Sequence, residues 1–249
     1  MRVKREKSGF WVSLTASVFY PVSALLARRR YIGAERVPRN GGALLVMNHV
    51  SHLDPVYDTV FVHKQGRNPH VFAKHTLWEV PLVKHVMTGS GQIPVRRGSV
   101  TAGHSLRDGT SALQDGKVVI NYPEGTITRD PDGWPMVGYT GAARLALDLL
   151  DTGVPILPVA RWGTRDILDG YHKRFRPFPR HQVTYLVGEP VDLSGYRDKP
   201  INGLLLREVT DLLMWRVSEL LSEIRQRPAP EQFYPRAAAK RPGAAKDGS

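Results

Sequence analysis

Short apolar runs alternate with amphipathic stretches along most of the chain. Near-continuous apolar runs are typical of strands buried on both faces, and they occur at residues 43–47, 71–73, 92–95, 117–122, 156–160 and 182–187. The stretches between these runs predict helices near residues 55–64, 77–87, 100–114 and 138–150. Strands that alternate with helices at this spacing predict an α/β fold, a single domain whose largely parallel sheet is flanked by helices.

The N-terminal stretch departs from this pattern. Residues 8–27 contain no charged side chain and are just long enough to cross a bilayer. Pro21 and several Ser residues make them a poor membrane-spanning helix, so we expect a helix that lies in one leaflet, with aromatic side chains at the interface. A helix packed on the domain's own core is the alternative.

The C-terminal part predicts a helix followed by a tail. Apolar residues recur every three or four positions from Leu206 to Ile224, which is typical of an amphipathic helix. From Arg227 onward Pro, Ala, Gly and Lys dominate, and this composition is typical of disorder. We therefore divide the chain into a membrane-associated helix (residues 1–30), one folded domain (31–226) and a disordered basic tail (227–249).

Positive charge is concentrated at the same two ends. The 249 residues include 35 basic and 23 acidic side chains, a formal net charge of +12. Half of that excess lies in residues 1–30, beside the apolar stretch. This arrangement favours an anionic membrane surface as partner, and no nucleic acid, because nucleic-acid domains more often carry a basic stripe across the folded body. The absence of cysteine excludes disulfides, thiolate zinc sites and a cysteine nucleophile.

The sharpest candidate chemistry lies in the stretch NHVSHLDP, directly after a predicted strand. Asp54 followed by Pro55 has the form of a helix N-cap with proline at the first helical position. In a regular helix His49 and Asp54 would diverge by about 140°, so only a strand–turn–helix corner brings them together. A carboxylate on one imidazole nitrogen would leave the other nitrogen as a general base. The alternative is that Asp54 merely caps the helix and His49 is an ordinary turn residue.

Three further short sequence blocks are candidates for function. Each lies at the end of a predicted strand or within one. YPEGT, at residues 122–126, predicts a sharp turn that presents polar groups where ligands bind in parallel sheets, or else a plain β-turn. GQIPVRR, at 91–97, ends a strand in two arginines, which suit a phosphate or a solvated edge. VPILPV, at 154–159, is typical of a buried strand between prolines.

These four blocks, in this order, resemble those of the glycerolipid acyltransferase family, the 1-acylglycerol-3-phosphate acyltransferases. That family has an Asn-His-x4-Asp block, a Gly…Ile-x-Val-x-Arg block, a Phe-Pro-Glu-Gly-Thr block and a Val-Pro-x-x-Pro-Val block. The resemblance covers about residues 31–190, and four ordered blocks are highly specific where each alone is not. It implies the glycerol-3-phosphate acyltransferase-like fold.

The resemblance also implies an enzyme and the roles of its residues. His49 would deprotonate the acceptor hydroxyl and Asp54 would orient His49, while the hydroxyl attacks the thioester of acyl-CoA or acyl-carrier protein without a covalent acyl-enzyme. The product from 1-acylglycerol-3-phosphate is phosphatidic acid. No metal or cofactor is implied beyond the acyl co-substrate, and Pro155 and Pro158 would form a structural wall near the donor. The implied substrate-binding residues are Arg97, Arg96, Glu124, Gly125, Thr126 and Lys74.

Departures from the family pattern keep other functions open. Ile127 follows Thr126 where relatives commonly have arginine, and Tyr139 precedes the GAARLAL helix where relatives often have lysine. Another lysophospholipid or a glycolipid is therefore an alternative acceptor. A non-enzymatic peripheral lipid-binding protein and a metal hydrolase built on the many histidines are the alternatives of another class. We expect a peripheral or monotopic protein on the cytoplasmic face of the cell membrane.

One segment outside the four blocks also mixes basic and aromatic residues. It has the sequence HKRFRPFPR at residues 172–180. A second membrane contact close to the mouth of the active site is one hypothesis, and an exposed loop without a partner is the other.

Overall fold

The computed structural model describes residues 5–95 and 102–236. Seven α-helices are present in these ranges: α1 Phe10–Leu26, α2 Asp54–Lys64, α3 Pro81–Gly89, α4 Ala102–Gln114, α5 Gly141–Asp148, α6 Thr164–Ile167 and α7 Gly203–Arg225. The strands of the same ranges are β1 Ala27–Ile32, β2 Ala43–Met47, β3 Pro69–Lys74, β4 Ile93–Val95, β5 Val118–Asn121, β6 Ile156–Trp162, β7 Leu168–Asp169, β8 Arg174–Phe175 and β9 His181–Val187.

Seven of the strands form one sheet in the order β1-β9-β6-β2-β5-β3-β4. The strands from β6 to β4 are mutually parallel, whereas β9 is antiparallel to β6 and carries β1 parallel to itself at the edge. β7 and β8 pair as a separate small hairpin. The predicted α/β fold with a largely parallel sheet is therefore confirmed.

The central strand β2 shows why the domain needs helices on both faces. All five of its residues are buried, and successive side chains of a strand point to opposite faces. Leu45 and Met47 pack with Tyr57 and Phe61 of α2. Leu44 and Val46 pack instead with the core that α4, α5 and α7 cover. An apolar run without alternation thus fills two cores, as expected for a parallel strand.

The N-terminal helix α1 packs on the domain with one of its faces. α1 buries Val12 and Ala16 against the domain, while a row of apolar side chains on the same helix stays exposed. Arg28–Arg30, the three arginines that directly follow α1, lie within β1 and pair with β9. In the part of the chain that the structure describes, no helix is long and apolar enough to span a membrane.

Two other elements differ from the prediction. The helix expected at residues 77–87 is divided into a 3-10 helix, His75–Glu79, and α3. The division falls at Val80, which is extended because the residue before a proline avoids the helical region.

The expected tail does not begin at Arg227. The Phe233 ring lies 4.3 Å from that of Trp215, and the carbonyl of Tyr234 accepts a hydrogen bond from Val137 N–H at 3.0 Å. Residues 227–236 therefore continue along the domain, held by the Phe233 ring and by the backbone of Tyr234. The rest of the predicted tail, residues 237–249, lies outside the described residues.

Candidate functional site

The chain turns a sharp corner between β2 and α2, and this corner brings His49 onto Asp54. The Nδ1 atom of His49 lies 2.8 Å from Oδ2 of Asp54. The same carboxylate oxygen accepts hydrogen bonds from the backbone N–H groups of Val50 at 2.7 Å and Ser51 at 2.8 Å. Asp54 is consequently not the N-cap of α2, a position that Leu53 occupies. Its side chain turns back and organises the loop that carries His49.

A buried arginine from β6, which the sequence did not single out, holds the other side of Asp54. Nη2 of Arg161 lies 2.5 Å from Asp54 Oδ2 and donates to the carbonyl of Asn48 at 2.8 Å. Nη1 lies 2.6 Å from each carboxylate oxygen of Asp58. All three charged side chains are fully buried. The only signal in the sequence is a charge inside an otherwise apolar strand, where an unpaired charge would be very costly.

These contacts keep Asp54 ionised. Burial by itself raises the pKa of Asp54, but the Arg161 guanidinium and the hydrogen bond from His49 bring it below its ordinary value. Thr164 contributes a further hydrogen bond from its hydroxyl to Oδ1 at 2.6 Å. An ionised carboxylate only accepts hydrogen bonds, so Nδ1 of His49 is the donor to Asp54 and Nε2 is the ring nitrogen left for another partner.

The His49 ring is also fixed from its flat side. It stacks on Tyr122 with 4.6 Å between ring centroids and 17° between ring planes, and the Tyr122 hydroxyl donates to Asp58. The backbone N–H of His49 donates to Glu124 Oε1 at 2.8 Å, and its carbonyl accepts from Thr128 N–H at 2.8 Å. These contacts hold the imidazole rigidly, with one edge toward the adjoining cavity. The His49 side chain is 15% exposed.

The turn after β5 does not present all of its polar groups to that cavity. Glu124 is fully buried, and its two oxygens accept from the N–H groups of His49 and Met136. Burial raises the pKa of Glu124 to about 8, although these two donors favour the charged form. Gly125 and Thr126, by contrast, line the cavity. The structure therefore places Glu124 as a support for the His49 loop, which differs from the substrate contact that the resemblance implied.

The cavity beside His49 has a volume of about 1410 Å³, above the roughly 300–1,000 Å³ usual for small-molecule pockets. Its polar end contains His49, His52 and Thr126, and Ile127 and Tyr139 also face it. The remaining wall is formed mainly by α1, β3, α3 and α4; apolar groups predominate in it, but α4 also contributes polar side chains such as Arg107 and Thr110. That wall includes Val12, Phe19, Val71, Leu77, Val86, Met87 and Leu106.

The remaining predicted site residues lie in different places. Lys74 is exposed and lines the cavity. Arg96 and Arg97 lie outside the described residues. Pro155 and Pro158 lie before and within β6, and neither lines the cavity. Within residues 5–95 and 102–236, no group of three His, Asp or Glu side chains could hold a metal ion.

Comparison with known proteins gives three similarities to this chain. A sequence model of the acyltransferase family matches residues 28–162. The 1-acyl-sn-glycerol-3-phosphate acyltransferase of Borreliella burgdorferi is 28% identical over 135 residues, 54% of this chain and 51% of that protein. This chain thus spans about half the length of that curated relative. The solved 1-acyl-sn-glycerophosphate (LPA) acyltransferase PlsC of Thermotoga maritima has the same fold, with a TM-score of 0.61, 24% identity, and coverage of 85% of this chain and 80% of that one.

Proposed function

The chain belongs to the acyltransferase family, and from that premise we propose that it acylates the free hydroxyl of 1-acylglycerol-3-phosphate to give phosphatidic acid. The acyl donor in this proposal is acyl-CoA or acyl-carrier protein. The observation that carries the proposal is the position of His49, with Nδ1 bound to buried Asp54 and the opposite edge at a large apolar cavity. The choice of acceptor follows the names of the relatives, and the type of reaction follows the geometry around His49.

The proposed reaction is a direct transfer without an acyl-enzyme. His49 Nε2 takes the proton of the acceptor hydroxyl as its oxygen attacks the thioester carbonyl carbon, and Asp54 stabilises the imidazolium that forms. The tetrahedral intermediate then collapses, the carbon–sulfur bond breaks, and the imidazolium returns its proton to the thiolate. An alcohol is a poor nucleophile near neutral pH, which is why a fixed base is needed.

The apolar cavity supports a lipid acyl substrate. Burial of apolar surface contributes roughly 0.8 kcal/mol per CH₂ group, so a fatty acyl chain is the kind of ligand that an apolar wall retains. Tyr122, Gly125 and Thr126 stand at the polar end, beside His49. In this proposal the acyl chain occupies the apolar part, and the acceptor headgroup lies at the polar end.

The first experiment measures thiol release from acyl-CoA with lysophosphatidic acid, for wild type, His49→Ala and His104→Ala. A lost general base typically costs about 10²–10⁴-fold in rate, so we expect His49→Ala to lose at least about 10²-fold in kcat. His104 is the matched control, since it is an exposed histidine of α4 that does not line the cavity. Equal loss in both variants, or none in His49→Ala, would contradict the proposed base.

The same assay decides between acceptors. Lys74 at the cavity and the two arginines of GQIPVRR are the cations that we propose for a phosphate monoester, while Ile127 and Tyr139 face the cavity without a positive charge. Turnover of lysophosphatidic acid supports the proposed reaction. Turnover of other lysophospholipids or glycolipids alone would keep the base and replace the acceptor. Parallel assays with acyl-carrier protein identify the donor.

We also propose that α1 docks on the cytoplasmic face of the cell membrane, as a peripheral or monotopic contact. The exposed row on α1 repeats every three or four residues and consists of Phe10, Leu14, Val18, Val22 and Leu25. Arg5 and Lys7 lie exposed just before it and suit anionic headgroups. Leu14→Ser/Val18→Ser is expected to shift the protein from the membrane fraction to the supernatant. No shift would contradict this docking.

A further inference from the structure

A second surface with lipid-binding chemistry borders the cavity mouth. The β7–β8 hairpin follows β6 and α6, and its Leu168 carbonyl accepts a hydrogen bond from the Ser51 hydroxyl at 2.7 Å. A Cβ atom on Gly170 would lie 3.4 Å from the His52 ring and 3.6 Å from Ile127. Both neighbours line the cavity. Residues 171–180, named here the basic–aromatic segment, therefore stand at the entrance to the site.

The composition of this segment is one-sided. Tyr171, Phe175 and Phe178 are 50%, 61% and 65% exposed, far more than aromatic rings usually are. The four cations of the segment are exposed as well, namely Lys173, Arg174, Arg176 and Arg180. Residues 171–180 contain no Asp or Glu, and none of these cations forms an ion pair with another described residue. The segment thus presents exposed positive charge together with apolar rings, although Arg174 and Arg176 also border a small pocket that Asp132, Asp166 and Asp169 line.

The backbone beneath these side chains is well ordered by hydrogen bonds. Asp169 accepts from the N–H groups of Tyr171 at 2.9 Å and His172 at 3.0 Å. Arg176 N–H donates to the Ile167 carbonyl at 2.7 Å. These hydrogen bonds hold the backbone of the segment, while the side chains of Lys173, Phe175 and Phe178 remain exposed.

The segment also joins the exposed surface of α1. Arg180 Nη2 donates to the carbonyl of Ala27 at 3.3 Å, the residue directly after α1. Leu25 is two residues before Ala27 along the chain, Phe178 is two residues before Arg180, and both side chains are exposed. The basic–aromatic segment and the apolar row of α1 consequently meet at one end of that helix.

We propose that the basic–aromatic segment binds an anionic lipid bilayer. Aromatic rings are favoured at the membrane interface, and arginine and lysine are favoured beside lipid phosphates. Phe175 and Phe178 enter the interfacial region, and Lys173, Arg174 and Arg176 contact the phosphates. The cavity mouth beside His52 then opens at the bilayer surface. This inference rests on the proposed function only in that the substrate is a membrane lipid.

Vesicle sedimentation of the full chain tests the proposal. The vesicles contain phosphatidylcholine and phosphatidylglycerol in a two-to-one mixture, and the variant is Arg174→Glu/Arg176→Glu. Each basic residue near an anionic surface contributes about a fivefold increase in partitioning, so we expect a fall of about 25-fold or more. Phe175→Ala/Phe178→Ala tests the apolar part, and we expect it to weaken binding to the same vesicles without a change in charge.

The matched control is Arg39→Glu/Arg197→Glu, which changes the net charge by the same amount. Arg39 is exposed and lies before β2. Arg197 contacts Asp151, which lies in the loop before β6. Both control positions are therefore near the N-terminal ends of these strands, whereas the basic–aromatic segment follows the C-terminal end of β6. Binding retained by the control and lost by the segment variants supports the proposal. An equal loss in control and Arg174→Glu/Arg176→Glu would overturn it, because net charge alone would then explain binding. Undiminished binding of both segment variants would also overturn it, because the segment would then not be the surface that binds the vesicles.

Activity on detergent-dispersed lysophosphatidic acid separates this inference from the proposed reaction. The segment variants are expected to keep wild-type turnover in detergent, because they lie outside the His49–Asp54 pair. Wild-type protein that binds vesicles through the segment but turns over no lysolipid would contradict the proposed reaction alone. A loss of detergent activity equal to the loss of vesicle binding would show a general defect in the segment variants and overturn the surface assignment.

Discussion

Replacing Arg161 with methionine would leave the carboxylates of Asp54 and Asp58 buried without the guanidinium that contacts both. In the native chain Nη1 lies 2.6 Å from each oxygen of Asp58, and Nη2 lies 2.5 Å from Asp54. Removal of one partner from a buried ion pair costs about 3–5 kcal/mol. Because Arg161 contacts two carboxylates, we expect Arg161→Met to lower the free energy of unfolding at pH 8 by at least about 4 kcal/mol.

The same variant has an expected pH dependence. Burial raises the pKa of Asp58 even though Arg161 opposes the effect, so removing Arg161 raises it further. A folded-state pKa above the unfolded value means that the folded variant holds an extra proton. Its stability is then fully present below the unfolded pKa and falls as pH rises toward the folded one. The deficit relative to wild type is expected to be smaller at pH 5.5 than at pH 8, by up to about 1.4 kcal/mol per pH unit.

Urea unfolding followed by tryptophan fluorescence at both pH values measures this deficit. Arg161→Met/Asp58→Asn is the companion variant, because it removes one of the two carboxylates left without a counterion, and we expect it to recover part of the stability. A loss below about 1 kcal/mol at pH 8, or a deficit that is the same at both pH values, would refute the reasoning. Either result would mean that water or rearrangement compensates the carboxylates without Arg161.

Three further predictions concern Glu124, Asn202 and Gly163. Burial raises the pKa of Glu124 to about 8 from an ordinary value of 4.5, so the free energy of unfolding of wild type should fall as pH rises between these values. In Glu124→Gln the free energy of unfolding from urea titrations should depend less on pH; the same pH dependence in both proteins would contradict this. Asn202 accepts from Leu205 N–H at 2.9 Å at the start of α7, and Asn202→Ala should cost about 1 kcal/mol; an unchanged urea midpoint would count against the cap. In Gly163→Ala the new Cβ would lie 2.0 Å from the Gln182 carbonyl at a φ of +108°, and about 1–3 kcal/mol or more should be lost. The Tm of each variant measures this loss. Gly195→Ala, which has open space around its new Cβ, is the control, and its Tm should remain near that of wild type.

The sequence determined those features that depend on neighbours along the chain. β2 begins and ends where the apolar run predicted, at Ala43 and Met47, because a run buried on both faces needs no partner to be recognised. The corner that brings His49 to Asp54 was also predictable, since both residues lie within one strand–turn–helix unit. Pro55 marks the start of the helix, and the sterics of proline act locally.

The tertiary structure alone decided which distant groups meet. The basic sequence of β1 indicates no strand, and its pairing with β9 supplies the hydrogen bonds that make it one. Glu124 follows a strand as a ligand-binding residue would, yet packing turns its carboxylate toward two buried N–H groups. Arg161 reaches Asp54 because β2 and β6 lie side by side in the sheet. Such contacts depend on how strands far apart in sequence are ordered, and local composition carries no information about that order.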